Sequence, residues 1–377
     1  MKFLPAALLL CITVSPLRSA DGQAGTGPRI RVAIIRGSPS LKLKTSAKIL
    51  VTETKTGEKY QLLANASYEI KSSGSSIFVA GQKLSSPVQL MAADGGDRMR
   101  LAGRLYKGDI LLRATGSGRL DIIESLSLET YLCGVLPAEM SPDWPLEALK
   151  AQAVASRTYA LKQINPAKDY DITDGVEMQV YAGSAVISPR IIEAVDATRG
   201  EVLRYNKKLV TAFFHACCGG HTASANSAWG DTVIKPLYGV PDPFCSNSRH
   251  YRWELFLSAK NLLTFIQKQG STALKVTGVK LHRKDRSGRA VSLKISTDQG
   301  AKTVAVKDLR KSFGNFEFRS TYISRINPAK NGYEFEGRGW GHGVGMCQEG
   351  AKTMAIKGRL YRKILRHYYP GASIEDI

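Results

Sequence analysis

Three stretches of this sequence carry side chains that could do chemistry. The first holds one carboxylate, Glu139, inside GVLPAEMSPDWPLEALKAQAVASRTYAL, residues 134–161. Pro137 and Pro142 flank it, and prolines fix local dihedrals and cannot donate backbone hydrogen bonds. A stiffly held carboxyl beside Met140 and Trp144, which can desolvate it, is suited to proton transfer; a solvated surface acid is the competing reading, because Glu is usually exposed. The second stretch is His215-Ala216-Cys217-Cys218-Gly219-Gly220-His221-Thr222, with Cys245 downstream. Zinc takes four N or S ligands tetrahedrally, and structural sites mix Cys and His. A disulfide from Cys217 or Cys218 to Cys245 is the competing reading, because exported chains favour disulfides. The third stretch runs from Gly337 to Ala351, GRGWGHGVGMCQEGA. Its alternate glycines permit unusual dihedrals and close backbone approach to a ligand. Trp340 and His342 displayed there suit sugar stacking or proton relay. A phosphate loop is disfavoured, since neither a Gly-Lys-Ser/Thr ending nor GxGxxG spacing is present.

The elements around these residues must position them. Pro145 suits the first turn of a helix, with Asp143 or Trp144 as cap and Glu147 at its positive end. Leu146, Leu149, Ala153, Ala160 and Ile164 follow at near-helical spacing, widened by Val154 and Leu161. Glu139 is therefore expected on a stiff loop just ahead of a buried helix, a common way to build a catalytic site. Gln179-Val180-Tyr181-Ala182-Gly183 reads as a short strand or turn with two polar heads. Asp169, Asp171, Asp174 and Glu177 look like a calcium cluster but lack the spacing of an EF-hand loop, so a solvated loop is preferred. Pro189 to Thr198 reads as a helix ending at Gly200, followed by strands EVLRY and LVTAFF. WELFLSAKNLLTFIQKQG looks helical, and VTGVKLHRK, AVSLKIST and KTVAVK look like strands. Short helices are expected at Lys307–Phe313, after the glycine-rich loop, and over LYRKILRHYY.

The 377 residues allow two or three domains, and 43% hydrophobic residues can bury a sizeable core. The fold class is α+β. Residues 1–20 show a secretory signal pattern: Lys2, then an apolar run from Phe3 to Val14 too short to span a bilayer, then small residues. Cleavage after Ala20 or after Ala24 fits. Residues 28–98 read as a small β-rich domain of IRVAII, AKILVTE, YQLLAN, YEIKSS and SIFVAG, closed by a boundary turn at Ala93–Asp97. Residues 99–377 read as a mixed α/β domain with the long helix after the Glu139 loop. With that signal pattern, and no later stretch suited to a transmembrane helix, the chain is expected to be exported, to the periplasm, the cell envelope or the extracellular space. The net charge is +21, or +19 once Lys2 and Arg18 leave with the signal. That balance expects an anionic partner, with the charge scattered along the chain and no nucleic-acid motif. Five cysteines would remain, and an odd number leaves at least one thiol unpaired or some bound to metal.

Several motifs in fixed order resemble the SpoIID/LytB family, named for stage II sporulation protein D. They are LETYLCGVLPAEM, WPLEALKAQAVASRTYAL, QVYAG, the CGGHT segment, GWGHGVGMCQEGA and the closing HYYPG, spanning about Gly103 to Gly371. The resemblance implies a peptidoglycan lytic transglycosylase cleaving glycan strands, preferentially peptide-stripped ones, with Glu139 as the general acid/base. LytB-type members are described as modifiers of a wall amidase, which makes a non-catalytic, amidase-modifying role the alternative and such an amidase the candidate protein partner. The family's zinc site maps onto His215, Cys218 and His221, with Cys245 as a fourth candidate, so zinc is the candidate structural cofactor. Many members carry Ser where this chain has Cys347, which argues against an essential thiol there. Gln179, Tyr181, Trp340 and His342 are the candidates for holding the sugar or the developing charge.

Overall fold

The structure, a computed structural model, describes residues 27–93, 99–175, 178–184, 188–230 and 234–377. The expected signal segment, and most of the boundary turn at Ala93–Asp97, lie outside the described residues. The fold is α+β and divides into two compact units. The first comprises Met1–Pro142 and Ala160–Gly200, the second Asp143–Tyr159 and Glu201–Ile377.

In the first unit, period-two alternation builds two antiparallel-rich sheets. Ile30, Val32, Ile49, Val51, Leu90, Ile110, Leu112 and Ile122 point into the core of a seven-stranded sheet and are buried. Its strand order is Ile172–Thr173, Arg29–Ser38, Leu120–Ser127, Asp109–Ala114, Val88–Ala92, Ile49–Glu53, Lys59–Leu62. A six-stranded sheet runs Arg104–Tyr106, Met99–Leu101, Ser40–Thr45, Ser67–Ser73, Ser76–Val79, Gln82–Ser85. The five strands expected before residue 80 all form. They do not close on themselves, because Arg29–Ser38 pairs with Leu120–Ser127, Arg29 opposite Ser127. The boundary expected at residues 98/99 therefore falls inside this unit. Its strands are interleaved with later ones in both sheets, and local turn chemistry does not reveal that.

Helix α1, Leu128–Glu139, follows directly from the strand Leu120–Ser127. Ser127 caps it, its Oγ accepting from the Thr130 N–H at 3.1 Å. Helix α2, Leu146–Gln163, starts after Pro145 as expected. It contributes residues up to Tyr159 to the second unit and from Ala160 to the first. Residues 151–160 carry no polar face: even Gln152, Ser156, Arg157 and Thr158 are buried. Each finds a partner, such as Leu203 N–H donating to Thr158 Oγ at 2.8 Å and Arg157 donating to the Glu201 carbonyl at 3.1 Å. Helix α3, Pro189–Asp196, is capped by Ser188.

The second unit contains α4 (Ala225–Trp229), α5 (Ala259–Gln267), α6 (Val306–Phe313), α7 (Gln348–Ile356) and α8 (Tyr361–Tyr368). The stretch read as one helix from Trp253 splits: Arg252–Ser258 is a strand and only α5 is helical, with Ser258 as its cap. Dense apolar residues masked the alternation of buried Trp253 and exposed Glu254. Residues 252–338 hold two three-stranded antiparallel sheets around one core with α5 and α6. LVTAFF is not one strand: Leu209 ends the short strand Lys208–Leu209, paired with Arg204, and Phe214 begins the strand Phe214–His215. That strand pairs in parallel with Met346–Cys347. Among the described residues no helix is long and apolar enough to cross a membrane.

Three of the four acids read as a loop cluster are matched to arginines. Asp169 pairs with Arg113, Asp174 with Arg104 at 3.3 Å, and Asp171 with Arg31; Glu177 lies outside the described residues. Arg31 grips both Asp171 oxygens at 2.7 and 3.1 Å and also donates to the Lys168 and Asn165 carbonyls. This clamp fixes the segment leading to Gln179 against the strand Arg29–Ser38. Burial alone would raise the Asp171 carboxyl, but Arg31 and the N–H groups of Asn165 and Arg31 hold it below its ordinary value. Its contribution to stability is therefore complete above about pH 4 and is lost as pH falls through the lowered value. Asp171→Asn should cost about 2–4 kcal/mol in urea unfolding at pH 7 and should flatten the stability loss below pH 4. Unchanged unfolding would contradict the clamp.

Candidate functional site

Glu139 is the last residue of α1, not part of a loop. Pro137 sits in that helix's final turn, and Met140 N–H closes it onto the Leu136 carbonyl at 2.8 Å. Glu139 is half-buried, and its Oε1 accepts from the Val180 N–H at 3.1 Å. The segment 179–183 crosses α1 at Gly134. A β-carbon there would overlap the Tyr181 ring and come within 2.7 Å of the Gly183 carbonyl. Ala182 N–H donates to the Gly134 carbonyl at 3.2 Å. Tyr131 from α1 donates to Gln179 Oε1 at 3.1 Å, and its ring lies 5.2 Å from that of Tyr181. The structure thus brings Glu139, Gln179 and Tyr181 together in the first unit. Gln179 and Tyr181 are buried. They hold the peptide that orients the carboxylate, and their side chains do not face solvent to meet a sugar. Burial, reinforced by the charge of Glu124, pushes the Tyr181 phenol well above its ordinary value. Glu124, which pattern reading passed over, is buried and accepts from the Lys107 and Gly108 N–H groups at 3.0 and 2.8 Å.

In the second unit the metal-capable residues rearrange relative to expectation. Cys218 and Cys245 meet, their sulfurs 3.4 Å apart, and their companions are Asp242 and Cys347. One ligand atom from each of these four buried residues lies within 4.8 Å of all the others. His215 and His221 are outside this set. His215 Nδ1 contacts the Val344 carbonyl at 3.1 Å, and His221 Nδ1 contacts the Thr222 carbonyl at 2.8 Å. Burial first, then the neighbouring His342, holds the His215 ring well below the usual imidazole range. The five described cysteines are free, four of them gathered here and Cys133 on α1 in the first unit.

The tetrad is built for anionic ligands. Gly220 N–H donates to Cys218 Sγ at 3.3 Å, and Cys218 N–H and Gly350 N–H donate to Cys347 Sγ at 3.2 and 3.3 Å. Cys347 is the N-cap of α7, where the helix end favours negative charge. Asp242 Oδ2 accepts from Tyr368 at 3.0 Å and Oδ1 from the Phe244 N–H at 3.0 Å. Without a cation, burial pushes the Cys218 and Cys347 thiols well up. Three thiols and one carboxylate, oriented by outer donors, fit a soft divalent ion. A four-coordinate zinc has sulfur–sulfur edges of about 3.8 Å, close to the 3.4 Å seen here. Arg289, also missed in the sequence, is buried behind the loop and donates to the Cys218 and His221 carbonyls at 2.6 and 2.9 Å. The closing motif acquires a purpose as well: Tyr368 orients Asp242, and Tyr369 donates to the Phe213 carbonyl at 2.6 Å. Asp242 lies between Pro241 and Pro243, the same acid-between-prolines pattern that singled out Glu139, and that signal could have found it.

The alternate glycines serve the protein's own backbone rather than a ligand. Gly339 has φ +77° and lies where a β-carbon would be 2.6 Å from the Cys217 carbonyl oxygen. Trp340 exchanges backbone hydrogen bonds with Cys217, and its ring is flanked by His250 at 4.8 Å, Phe316 at 6.0 Å and the Arg319 guanidinium at 5.1 Å. Phe316 is exposed, so this aromatic–cationic cluster reaches the surface. His342 packs against Trp229, His215 and Phe213, with ring centroids 5.2, 5.5 and 5.9 Å away. Its Nδ1 accepts from the Val344 N–H at 3.0 Å, which places the proton on Nε2. Burial, then the charge of Arg310, pushes it down to about 4.

Residues 116–205 match the stage II sporulation protein family, and residues 238–345 match a domain of unknown function. The chain is 36% identical over 283 residues to an uncharacterised protein of Brachyspira hyodysenteriae, covering 74% of this chain and 75% of that one. It is 30% identical to stage II sporulation protein D of Bacillus subtilis, covering 67% of this chain and 76% of the relative. It is 32% identical to the amidase enhancer of Bacillus subtilis, over 64% of this chain but only 40% of that longer protein.

His342 is therefore expected to be a neutral imidazole protonated on Nε2 across pH 5–8, observed by nitrogen-15 NMR of the ring. Because its value falls below the ordinary 6.5, the stability it supplies is complete above about pH 6.5 and is lost as pH drops towards 4. A ring titrating near pH 6.5 would restore the proton-relay role.

Proposed function

The chain belongs to the stage II sporulation protein D family, and from that premise we propose that it remodels peptidoglycan as a lytic transglycosylase, with Glu139 as its acid and base. The observation that carries the reading is a single half-buried carboxylate at the end of α1, with Oε1 oriented by the Val180 N–H. A carboxylic acid so held can protonate the glycosidic oxygen between N-acetylmuramic acid and N-acetylglucosamine as the C1–O4 bond breaks. The substrate's acetamido group supports the cationic centre at C1. The muramyl 6-hydroxyl then adds to C1, and its proton returns to Glu139, leaving a 1,6-anhydro end with no water consumed. Trp340, rimmed by Phe316 and Arg319, offers a ring face for sugar stacking. His342 supports that loop rather than the proton transfer. The chain is expected to act in the cell envelope on peptide-stripped strands.

The similarity to an amidase enhancer favours a second reading, in which the chain binds the wall and modifies an amidase without cleaving glycan itself. The two part at Glu139. Glu139→Gln should lower release of anhydro-muramyl sugars from stripped strands by about 10²–10⁴-fold, measured by mass spectrometry, with the fold unchanged by circular dichroism. An equal effect of wild type and variant on amidase activity, with no sugar released by either, would favour the second reading.

Zinc is proposed as the structural cofactor, held by Cys218, Asp242, Cys245 and Cys347. Four buried protein ligands leave no position for substrate. About one zinc per chain should be found by elemental analysis, and Cys218→Ser or Cys347→Ser should lose it and lower Tm. Metal content unchanged in both variants would refute this ligand set.

A further inference from the structure

The positive charge is not scattered. Residues 252–338 hold 18 Lys and Arg against 7 Asp and Glu, a net +11 of the whole chain's +21. This stretch lies wholly within the match to a domain of unknown function, residues 238–345. Its two sheets treat charge differently. In the sheet of Arg252–Ser258, Gly332–Arg338 and Ile323–Ala329, Glu254 stands opposite Glu336, and Arg325 follows across the next strand. Opposite charges therefore share that row. In the sheet of Val276–Lys284, Ala290–Thr297 and Gly300–Ala305, Lys280 stands opposite Lys294, and the row ends in Thr303. Like charges directly opposed across strands are destabilising, and no acid in the row relieves them. One step along, Arg283 stands opposite Ser292. Apart from exposed Lys284, opposite Ala290 at the strand's end, the rest of that face is small: Gly278 opposite Ser296, then Ala301, and Ala305 beyond Ser292. The other face of the sheet carries Val279, Leu293 and Ile295 into the core with α5 and α6. Lys280, Arg283 and Lys294 are exposed, and none is in an ion pair among the described residues.

We propose that this face is a docking surface for the glycan strand, recognising the lactyl carboxylates that appear on muramic acid once its peptides are removed. The proposal rests on the peptidoglycan reading above and gives the stripped-strand preference a physical cause. An intact strand hides each lactyl carboxyl in an amide; a stripped one is an extended polyanion with one carboxylate per disaccharide. A sheet face with few bulky apolar residues, bearing the cations Lys280, Arg283 and Lys294, complements such a polymer. Its hydroxyls, Ser296 and Thr303, suit the sugar hydroxyls between the charges.

The test uses the full chain carrying Glu139→Gln, so that strands are not consumed, and measures Kd for stripped glycan strands. Adding Lys280→Ser, Arg283→Ser and Lys294→Ser should weaken binding about tenfold, the sum expected of three exposed charge contacts. Removing three exposed lysines elsewhere, Lys55, Lys59 and Lys83, should change it less than twofold. Converting the lactyl carboxylates to amides should weaken binding about as much as the triple substitution. Equal binding by the triple variant, or equal binding of amidated strands, would overturn the proposal. So would a face-dependent preference for anionic vesicles or a phosphodiester polymer over stripped strands. Failure of the enzymatic reading is distinguishable: the otherwise wild-type chain would release no anhydro sugar while carboxylate-dependent binding persisted.

Discussion

One close approach organises the second unit. At residue 345 a β-carbon would overlap the Phe213 carbonyl oxygen, and φ there is +73°, so both space and backbone require glycine. The approach lets Met346 N–H donate to Phe213 at 3.0 Å and sets Phe214–His215 parallel to Met346–Cys347. That pairing sets the CCGGH segment against the N-terminus of α7, where Cys347 caps the helix and accepts from Cys218 N–H. Tyr369 ties the same Phe213 carbonyl to the chain's end, and Tyr368 orients Asp242. Segments more than 120 residues apart are locked by backbone contacts that no side chain could replace.

The first unit holds Glu139 by a related device. Gly134 removes the side chain that would block residues 179–183 from lying across α1. The peptide N–H of Val180 then reaches the carboxylate. In both units the glycines and tyrosines of the family motifs build the frame, and few of them can touch a substrate.

Local pattern made much of this legible. The strands before residue 80, the start of α2 after Pro145 and α7 after the glycine-rich loop all follow from short-range spacing. What failed was long-range. His215 and His221 look like ligands because they neighbour Cys218 in sequence, yet Asp242 and Cys347, 24 and 129 residues away from Cys218, stand beside it. Gln179 and Tyr181 looked like sugar contacts because they are polar heads near the motif, and burial gives them a positioning role instead. The boundary near residue 98 failed for the same reason, since strand pairing between residues 29 and 127 leaves no trace in local composition. Charge was misjudged by counting along the chain rather than across strands, where Lys280 and Lys294 meet.

The proposed role of Glu139 is to drive an intramolecular ring closure rather than hydrolysis. Digestion of peptide-stripped glycan in oxygen-18 water tests this most directly. Ring closure leaves 1,6-anhydro-muramyl ends carrying no oxygen-18. Reducing ends labelled with oxygen-18 would make the chain a hydrolase, and intact strands would remove its catalytic role.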